Sequence, residues 1–294
     1  MTTQEKKGIF YSLIGGTAWG LSGTCGQYLF SYSDIAPRTV TIYRLMGSGL
    51  LLILMNLITN RKHMLDSLKD WKKVVHIIIY GIFGVGLCQL SYLSAIKYSN
   101  SGTATVLQSS GIILVFAISS IQLKKKPKFK EYLCLVLIML GVFLLATHGN
   151  ISQLVISKEG LFWGGMAALA VVLYTLLPGN LMKEFGTAMI LGYSMFVGGI
   201  VMFAISGDYR VLTDTRPVTL LCILFIIAIG TAFAFTLYLK GVQLCGAKKA
   251  SMLSCAEPIV ATLSSWLLLG TPFVAMDFLG FAVAITGVVL LSAE

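Results

Sequence analysis

Two ionisable residues, Arg44 and Glu257, lie deep inside long apolar stretches of this 294-residue sequence. Inserting a charged side chain at such a depth in a membrane costs about 2.5–3.5 kcal/mol, so each residue marks a candidate functional site. If these stretches span a membrane, Arg44 lies about 10 Å and Glu257 about 17 Å below the outer surface of the hydrocarbon core. Two extended side chains can bridge that difference in height. Two interpretations stay open: an ion pair that fixes one helix to another, or contact with a substrate or a proton.

Pro258 directly follows Glu257 and is expected to kink the helix that carries both residues. Proline removes one backbone hydrogen bond and frees a carbonyl about one turn earlier, near Ser254. Irregular backbone at membrane depth is tolerated where it is buried in protein or lines a water-filled cavity. We therefore expect Glu257 to face a translocation path, and we regard it as the candidate for proton coupling.

Further polar and aromatic side chains occupy interior positions of apolar stretches: Trp19, Gln89, Tyr92, Gln108, Ser109, Tyr174 and Tyr238. A single polar side chain in a membrane often serves only to hold helices together, at about 0.6 kcal/mol. As a set, these residues suit a polar, substrate-binding cavity with aromatic walls. Trp19 lies away from the interfacial belt where Trp usually resides, so it either lines this cavity or packs against glycine-rich neighbours. Lys97, Lys240 and Asp277 lie near helix ends, where they can reach water, and receive no function.

The composition requires that most of this chain be dissolved in lipid. It is 56% hydrophobic and 12% charged, whereas a soluble domain carries about 25% charged residues. This excludes an ordinary soluble enzyme and a disordered chain. The net charge of +10 comes from cations clustered between apolar runs, for example Lys124, Lys125 and Lys126. That pattern is typical of cytoplasmic loops and does not resemble a nucleic-acid-binding surface.

Cutting the chain at charge clusters and turn residues predicts an all-α membrane protein with ten transmembrane helices, each near the length of about 20 residues that a span requires. Their predicted bounds are 8–30, 37–59, 74–97, 101–122, 131–149, 159–182, 187–206, 217–239, 248–270 and 272–292. With alternating orientation, one side collects about three times as many Lys and Arg residues as the other. That side is expected to be the cytoplasm, with both termini inside.

The two halves of the sequence are similar to each other. Residues 84–146, shifted by 146 positions, align without a gap on residues 230–292, so that Gly84 meets Gly230 and Tyr92 meets Tyr238. Because five helices per half is an odd number, the second copy enters the membrane from the opposite side. We therefore expect two inverted repeats, residues 1–150 and 151–294, a pattern found in many alternating-access transporters.

With this repeat, several local motifs resemble the drug/metabolite transporter superfamily, specifically its ten-helix EamA-type members. The similarity covers essentially the whole chain. The residues that carry it are Ala18, Trp19 and Gly20; Arg44; the stretch 92–104; Leu173, Tyr174 and Thr175; and Glu257, Pro258, Ile259 and Val260. The resemblance implies a secondary transporter that moves amino acids or related small polar metabolites by alternating access, with export favoured over import.

Other functions fit the sequence less well. Uptake or exchange of a nucleoside, vitamin or quaternary amine is the alternative within the same class, because aromatic walls suit a cationic solute. A membrane-embedded enzyme or a channel is not favoured, since the sequence has no catalytic or phosphate-binding motif and no ring of pore charges.

No cofactor or metal site is expected, because the six cysteines have no metal-binding spacing. The expected partners are a small-molecule substrate and the lipid bilayer of the cell membrane, either plasma or inner membrane. Nucleic acid is not expected as a partner. The protein is expected to be a monomer or a weak homodimer.

Overall fold

The computed structural model of the chain describes residues 2–33, 35–59, 66–98, 101–124, 126–153, 157–206, 214–270 and 274–292. These residues form helices joined by short turns, and none of them belongs to a β-strand. The long helices are α1 (Thr3–Tyr32), α2 (Pro37–Thr59), α3 (Trp71–Tyr98), α4 (Ser101–Gln122), α5 (Phe129–Thr147), α6 (Lys158–Leu176), α7 (Thr187–Ser206), α8 (Pro217–Cys245), α9 (Ala247–Leu269) and α10 (Ala275–Ser292). A short helix, Leu181–Phe185, precedes α7.

Several of these helices are suited to lipid. Within the described ranges, six of them (α2, α3 and α6 to α9) are long and apolar enough to cross a membrane. The segments Leu107–Gln122 and Ala275–Leu291 are apolar but shorter. Large apolar side chains such as Ile58 and Ile205 are more than four-fifths exposed at the surface, which a soluble protein rarely tolerates over a continuous area. The chain is therefore a multi-pass membrane protein.

The predicted helix bounds agree with α2, α4 and α7 and differ elsewhere for identifiable reasons. α6 ends at Leu176 rather than at residue 182. Pro178 has no N–H to donate to the carbonyl of Tyr174, which accepts a hydrogen bond from the hydroxyl of Tyr80 at 3.2 Å instead. α8 continues past residue 239 to Cys245, and Gly246, with a φ of 86°, ends it. The predicted boundary at Pro272 lies outside the described residues.

Helices α3 and α8 each contain a π-helical segment, Tyr80–Gly86 and Ala228–Phe233. The shift of 146 positions maps residues 80–86 onto 226–232, so the two segments overlap in the aligned halves. π-Helical turns interrupt the regular hydrogen-bond ladder and are frequent at functional sites. Both segments lie in the middle of their helices, close to the largest buried cluster of side chains.

Glycines bring α1 and α9 into close contact. A Cβ atom on Gly20 would lie 2.6 Å from the backbone oxygen of Glu257, and one on Gly16 would lie 2.9 Å from that of Ser254. No side chain larger than hydrogen fits at either position unless the helices separate. These two glycines therefore fix the part of α9 that carries Glu257 directly against α1.

Candidate functional site

A small, partly open cavity lies between the helices. Its volume is about 40 Å³, and its walls come from α1, α2, α3, α4, α6, α8 and α9. A cavity of this volume has room for only a few water molecules. The lining residues are Trp19, Ser22, Gly23, Arg44, Cys88, Gln89, Tyr92, Gln108, Tyr174, Phe235 and Glu257.

An adjoining cavity of about 30 Å³ shares Gln108, Tyr174 and Glu257 with the first one. Ser109 and Pro258 also line it. Among the side chains singled out from the sequence, only Tyr238 lines neither of these two cavities. The structure therefore brings the remaining predicted residues together around one polar centre.

Arg44 is held in place by the π-helical segment of α8. Its Nε donates to the hydroxyl oxygen of Thr231 at 2.5 Å, and its Nη2 donates to the carbonyl oxygen of Gly230 at 2.9 Å. In an α-helix the N–H of Ala234 would bond this carbonyl, but it donates to Ile229 and Thr231 instead. The π-helical turn thus leaves the Gly230 carbonyl free to accept a hydrogen bond from Arg44.

The guanidinium of Arg44 does not form an ion pair with Glu257, although both residues line the same cavity. Within the described residues, neither Nη1 of Arg44 nor the carboxylate of Glu257 has a hydrogen-bond partner. The first of the two interpretations from sequence, a direct ion pair that locks α2 to α9, does not describe this conformation. The helix that Arg44 anchors is α8.

The backbone of α9 is interrupted immediately before Glu257. A regular helix runs from Ala247 to Leu253, and a second one begins at Ala256. The carbonyl of Ser254, which Pro258 cannot bond, accepts the N–H of Glu257 at 2.9 Å. The expected kink is present, but the expected free carbonyl is not, because a tighter turn satisfies it.

Four aromatic rings pack together on one side of the cavity. The ring centroid of Trp19 lies 4.8 Å from that of Phe235, 5.1 Å from that of Tyr238 and 6.1 Å from that of Tyr174. Tyr238 is fully buried within this cluster, and its hydroxyl lies 3.0 Å from that of Thr175. Trp19 lines the cavity and also packs against the other rings, and within the described residues its Nε1 has no hydrogen-bond partner. Phe235 was not predicted, because an isolated Phe in an apolar helix carries no sequence signal.

The amide groups near Arg44 are largely unpaired. Gln89 is buried, and within the described residues its side chain has no hydrogen-bond partner. The Nε2 of Gln108 lies 4.0 Å from the sulfur of Cys88, a weak contact at best. The hydroxyl of Tyr92 lies 3.3 Å from that of Thr105. Buried polar groups normally find partners, so an enclosed set without them is suited to bind a polar ligand.

A second buried acid was missed from the sequence. Asp277, expected to reach water from a helix end, is fully buried. Its carboxylate oxygens lie 2.8 and 2.9 Å from Nδ1 of His148 and accept the N–H of Val274 at 2.8 Å. The expectation was wrong because His148 and the first turn of α10 satisfy this carboxylate inside the protein.

These helices define a polytopic membrane protein with a small polar cavity between them. A model of the EamA-like transporter family matches residues 6–147 and 158–293. The chain therefore belongs to the EamA-like transporter family, and through it to the drug/metabolite transporter superfamily, and it is a membrane transporter. This family membership is compatible with the expectation that the protein is not an enzyme.

Several relatives match nearly the whole chain. "Uncharacterized inner membrane transporter YicL" of Salmonella typhimurium is 35% identical over 292 residues, which cover 98% of this chain and 96% of the relative. "Uncharacterized transporter YwfM" of Bacillus subtilis is 25% identical over 295 residues, covering 98% and 95%. A solved structure described as "Crystal structure of protein" superposes with a TM-score of 0.75 at 15% identity, covering 96% of this chain and 97% of that chain. This last similarity concerns the fold alone.

Proposed function

We propose that the protein is a secondary transporter that carries a small polar metabolite, an amino acid or a related compound, through the cavity between Arg44 and Glu257. The observation that carries this proposal is the pair of opposite charges that line one cavity without forming a salt bridge with each other. Such a pair is costly in a membrane unless it has a function. A zwitterionic substrate supplies a carboxylate for Arg44 and an ammonium group for Glu257.

The chemistry of each side chain fits one end of such a substrate. Nη1 of Arg44 is fixed by the other two nitrogens and can bind a carboxylate with little loss of side-chain entropy. Glu257 can accept hydrogen bonds from an ammonium group. Gln89 and Gln108 supply neutral donors and acceptors between them, and the aromatic wall around Trp19 covers the apolar part of the substrate.

The aromatic wall also supports a second candidate, transport of a quaternary amine or another cation-bearing solute such as a nucleoside or vitamin. Trp19, Tyr174 and Phe235 line the cavity that Glu257 enters. A cation is attracted both by the faces of such rings and by the carboxylate. A zwitterionic substrate is favoured over a purely cationic one, because its carboxylate can also bind Arg44.

The proposal includes ten membrane spans in two inverted repeats, residues 1–150 and 151–294, with both termini in the cytoplasm. Reciprocal contacts between α5 and α10 support it. A Cβ atom on Gly141 would lie 2.6 Å from the nitrogen of Ala284, and one on Gly287 would lie 3.1 Å from the nitrogen of Ile138. The shift of 146 positions carries residue 141 onto residue 287 and residue 138 onto residue 284. The two contacts thus exchange, as a two-fold axis between the halves requires.

Helices α2 and α7 have the same kind of reciprocity. A Cβ atom on Gly49 would lie 2.5 Å from the nitrogen of Phe196, and one on Gly199 would lie 3.0 Å from the nitrogen of Met46. A shift of 150 positions converts one contact into the other. Rocking of one repeat against the other would open the cavity to each side of the membrane in turn.

We further propose that transport is coupled to protons through Glu257, that export is the favoured direction and that the protein resides in the inner or plasma membrane. The name of the Salmonella relative, an inner membrane transporter, supports this location. The position of Glu257 beside the break in α9 and inside the cavity supports its role as the proton carrier.

A panel of amino acids, amines, nucleosides and vitamins, tested by thermal shift on the purified protein, examines this proposal. A true substrate raises the unfolding temperature of the wild type, and Arg44→Gln and Glu257→Gln reduce or abolish that rise. Glu131→Gln is the matched control, because Glu131 pairs with Lys248 outside the cavity. A ligand that stabilises all these variants equally would place the binding site elsewhere.

A further inference from the structure

A larger cavity opens on the outer faces of α4 and α5, away from the candidate substrate site. Its volume is about 1030 Å³. Most of its wall is apolar and includes Ile113, Phe116, Val136, Met139, Leu140 and Phe143. Val136 and Leu140 are about half exposed or more, so this groove faces the membrane rather than the core.

One end of this groove carries two cations. Lys124 and Lys126 line it, next to Pro127 and Tyr132. Within the described part of the chain, neither lysine side chain forms an ion pair or a hydrogen bond. The nearby carboxylate of Glu131 is already engaged, since it pairs with Lys248 at 2.6 Å and accepts the N–H of Lys128 at 2.7 Å. Both ammonium groups are therefore available to an external anion.

The corresponding positions of the second half lack this charge. With the shift of 146, Lys124 aligns with Gly270 and Lys126 aligns with Pro272. Phe116, on the groove wall, aligns with Thr262. The combination of an apolar groove with a basic end is thus a property of the first half and not a by-product of the repeat.

We propose that this groove binds an anionic phospholipid, with an acyl chain along α4 and α5 and the phosphate on Lys124 and Lys126. In the proposed topology the turn between α4 and α5 is cytoplasmic, and the cytoplasmic leaflet is rich in anionic lipid. Basic pockets between membrane helices on this side bind acidic head groups. Tyr132, with an apolar ring and a polar hydroxyl, suits the boundary between chain and head group.

A second copy of the chain is a poorer occupant of the same groove. A two-fold contact through this face would bring the same surface of each copy together. The lysines of both copies would then approach one another and lose water without gaining an anionic partner. A phospholipid supplies both the apolar chain and the negative charge.

Lipid binding to the full-length protein in detergent tests this proposal, measured by native mass spectrometry and by thermal shift with phosphatidylglycerol or phosphatidylcholine. The double variant Lys124→Gln/Lys126→Gln should bind phosphatidylglycerol about thirtyfold more weakly, because each lysine near an anionic surface contributes about 1 kcal/mol. Phosphatidylcholine binding should be unchanged. Ala117→Trp, which fills the groove and keeps both lysines, should also weaken phosphatidylglycerol binding.

The matched control is Lys6→Gln/Lys7→Gln, which removes the same charge from exposed positions at the start of α1. It should bind phosphatidylglycerol like the wild type. If this control lost as much phosphatidylglycerol affinity as Lys124→Gln/Lys126→Gln, the net charge of the protein would explain the loss and the proposal would be overturned. Equal binding of the two lipids by the wild type would also overturn it. So would a disulfide-linked dimer formed through Ala117→Cys in lipid nanodiscs, because a second copy would then fill the groove.

Discussion

The Nε atom of Arg44 on α2 donates a hydrogen bond of 2.5 Å to the hydroxyl of Thr231 in the π-helical segment of α8. That hydroxyl in turn donates to the carbonyl of Ile226 at 2.8 Å, five residues earlier on the same helix. The buried arginine is therefore positioned by an irregular helix rather than by a carboxylate. This arrangement leaves Glu257 free for another role.

Thr231→Val should weaken both stability and substrate binding, because it removes the acceptor for Nε of Arg44. A hydrogen bond to a charged group contributes about 1.5–3 kcal/mol, so a loss of that size is expected in unfolding experiments. Thr236→Val is the matched control, since the Thr236 hydroxyl bonds the carbonyl of Ala232 on its own helix and no other group in the described part of the chain. Similar losses in both variants would argue against a special role for the contact with Arg44.

Glu257→Gln should abolish uptake driven by a pH gradient while exchange at saturating substrate persists. Glutamine keeps a polar head of the same size but cannot carry a proton. The measurement is radiolabelled flux in proteoliposomes with and without an imposed pH gradient. Glu131→Gln, which changes a carboxylate of the α5 terminus, should retain both activities. Unchanged coupling in Glu257→Gln would exclude this residue as the proton carrier.

Gly141→Ala should destabilise the contact between α5 and α10. The added carbon would lie 2.6 Å from the nitrogen of Ala284, and overpacking of this kind costs about 1–3 kcal/mol. Gly165→Ala on α6 is the control, because a Cβ there has no neighbour within 4 Å. Alanine in an exposed helix should instead stabilise the protein by about 0.5–1 kcal/mol. Equal unfolding temperatures for the two variants would contradict the close crossing of α5 and α10.

The stability of the protein should decrease in acid through Asp214, which precedes α8. Hydrogen bonds from Arg216, and then from Ser33, hold the pKa of this carboxyl well below its usual range. Its contribution is therefore fully present above the unfolded-state pKa of about 3.9 and is lost as the pH falls below that value toward the folded-state pKa.

Unfolding temperatures measured from pH 7 to pH 3 test this dependence. Asp214→Asn should be less stable than the wild type at pH 7, and the difference should shrink below about pH 4. Arg216→Gln removes the hydrogen bond that lowers the pKa of Asp214 most. The unfolding temperature of this variant should therefore also change less with pH than that of the wild type. Curves for Asp214→Asn and the wild type that stay parallel down to pH 3 would refute the assignment.

Much of the helical arrangement was predictable from hydropathy, because lipid requires long apolar helices and charges mark their ends. The bounds of α2, α4 and α7 were found in this way. The end of α6 was predicted six residues too late although Pro178 marks it in the sequence, because the prediction followed the apolar stretch beyond that proline. The π-helical segments have no local sequence signal, because they depend on packing between helices.

The predicted site residues are brought to one place, and the way in which they are held was only partly predictable. Charge in an apolar stretch identified Arg44 and Glu257, because membrane burial makes such residues rare. The partners of Arg44 are Thr231 and a backbone carbonyl, and neither is distinguishable in sequence from a structural residue. Tyr238, which was also predicted to contact substrate, is part of the aromatic cluster and lines neither of the two cavities.

Counterflow in proteoliposomes, with a ligand identified by thermal shift, tests the central claim most directly. The wild type should accumulate labelled ligand transiently against unlabelled ligand inside, with a rate that saturates. Arg44→Gln should lose this signal, and Lys249→Gln, a change at the ion pair with Glu5 outside the cavity, should keep it. A flux that never saturates and shows no counterflow, or full counterflow in Arg44→Gln, would contradict a carrier that binds its substrate at this cavity.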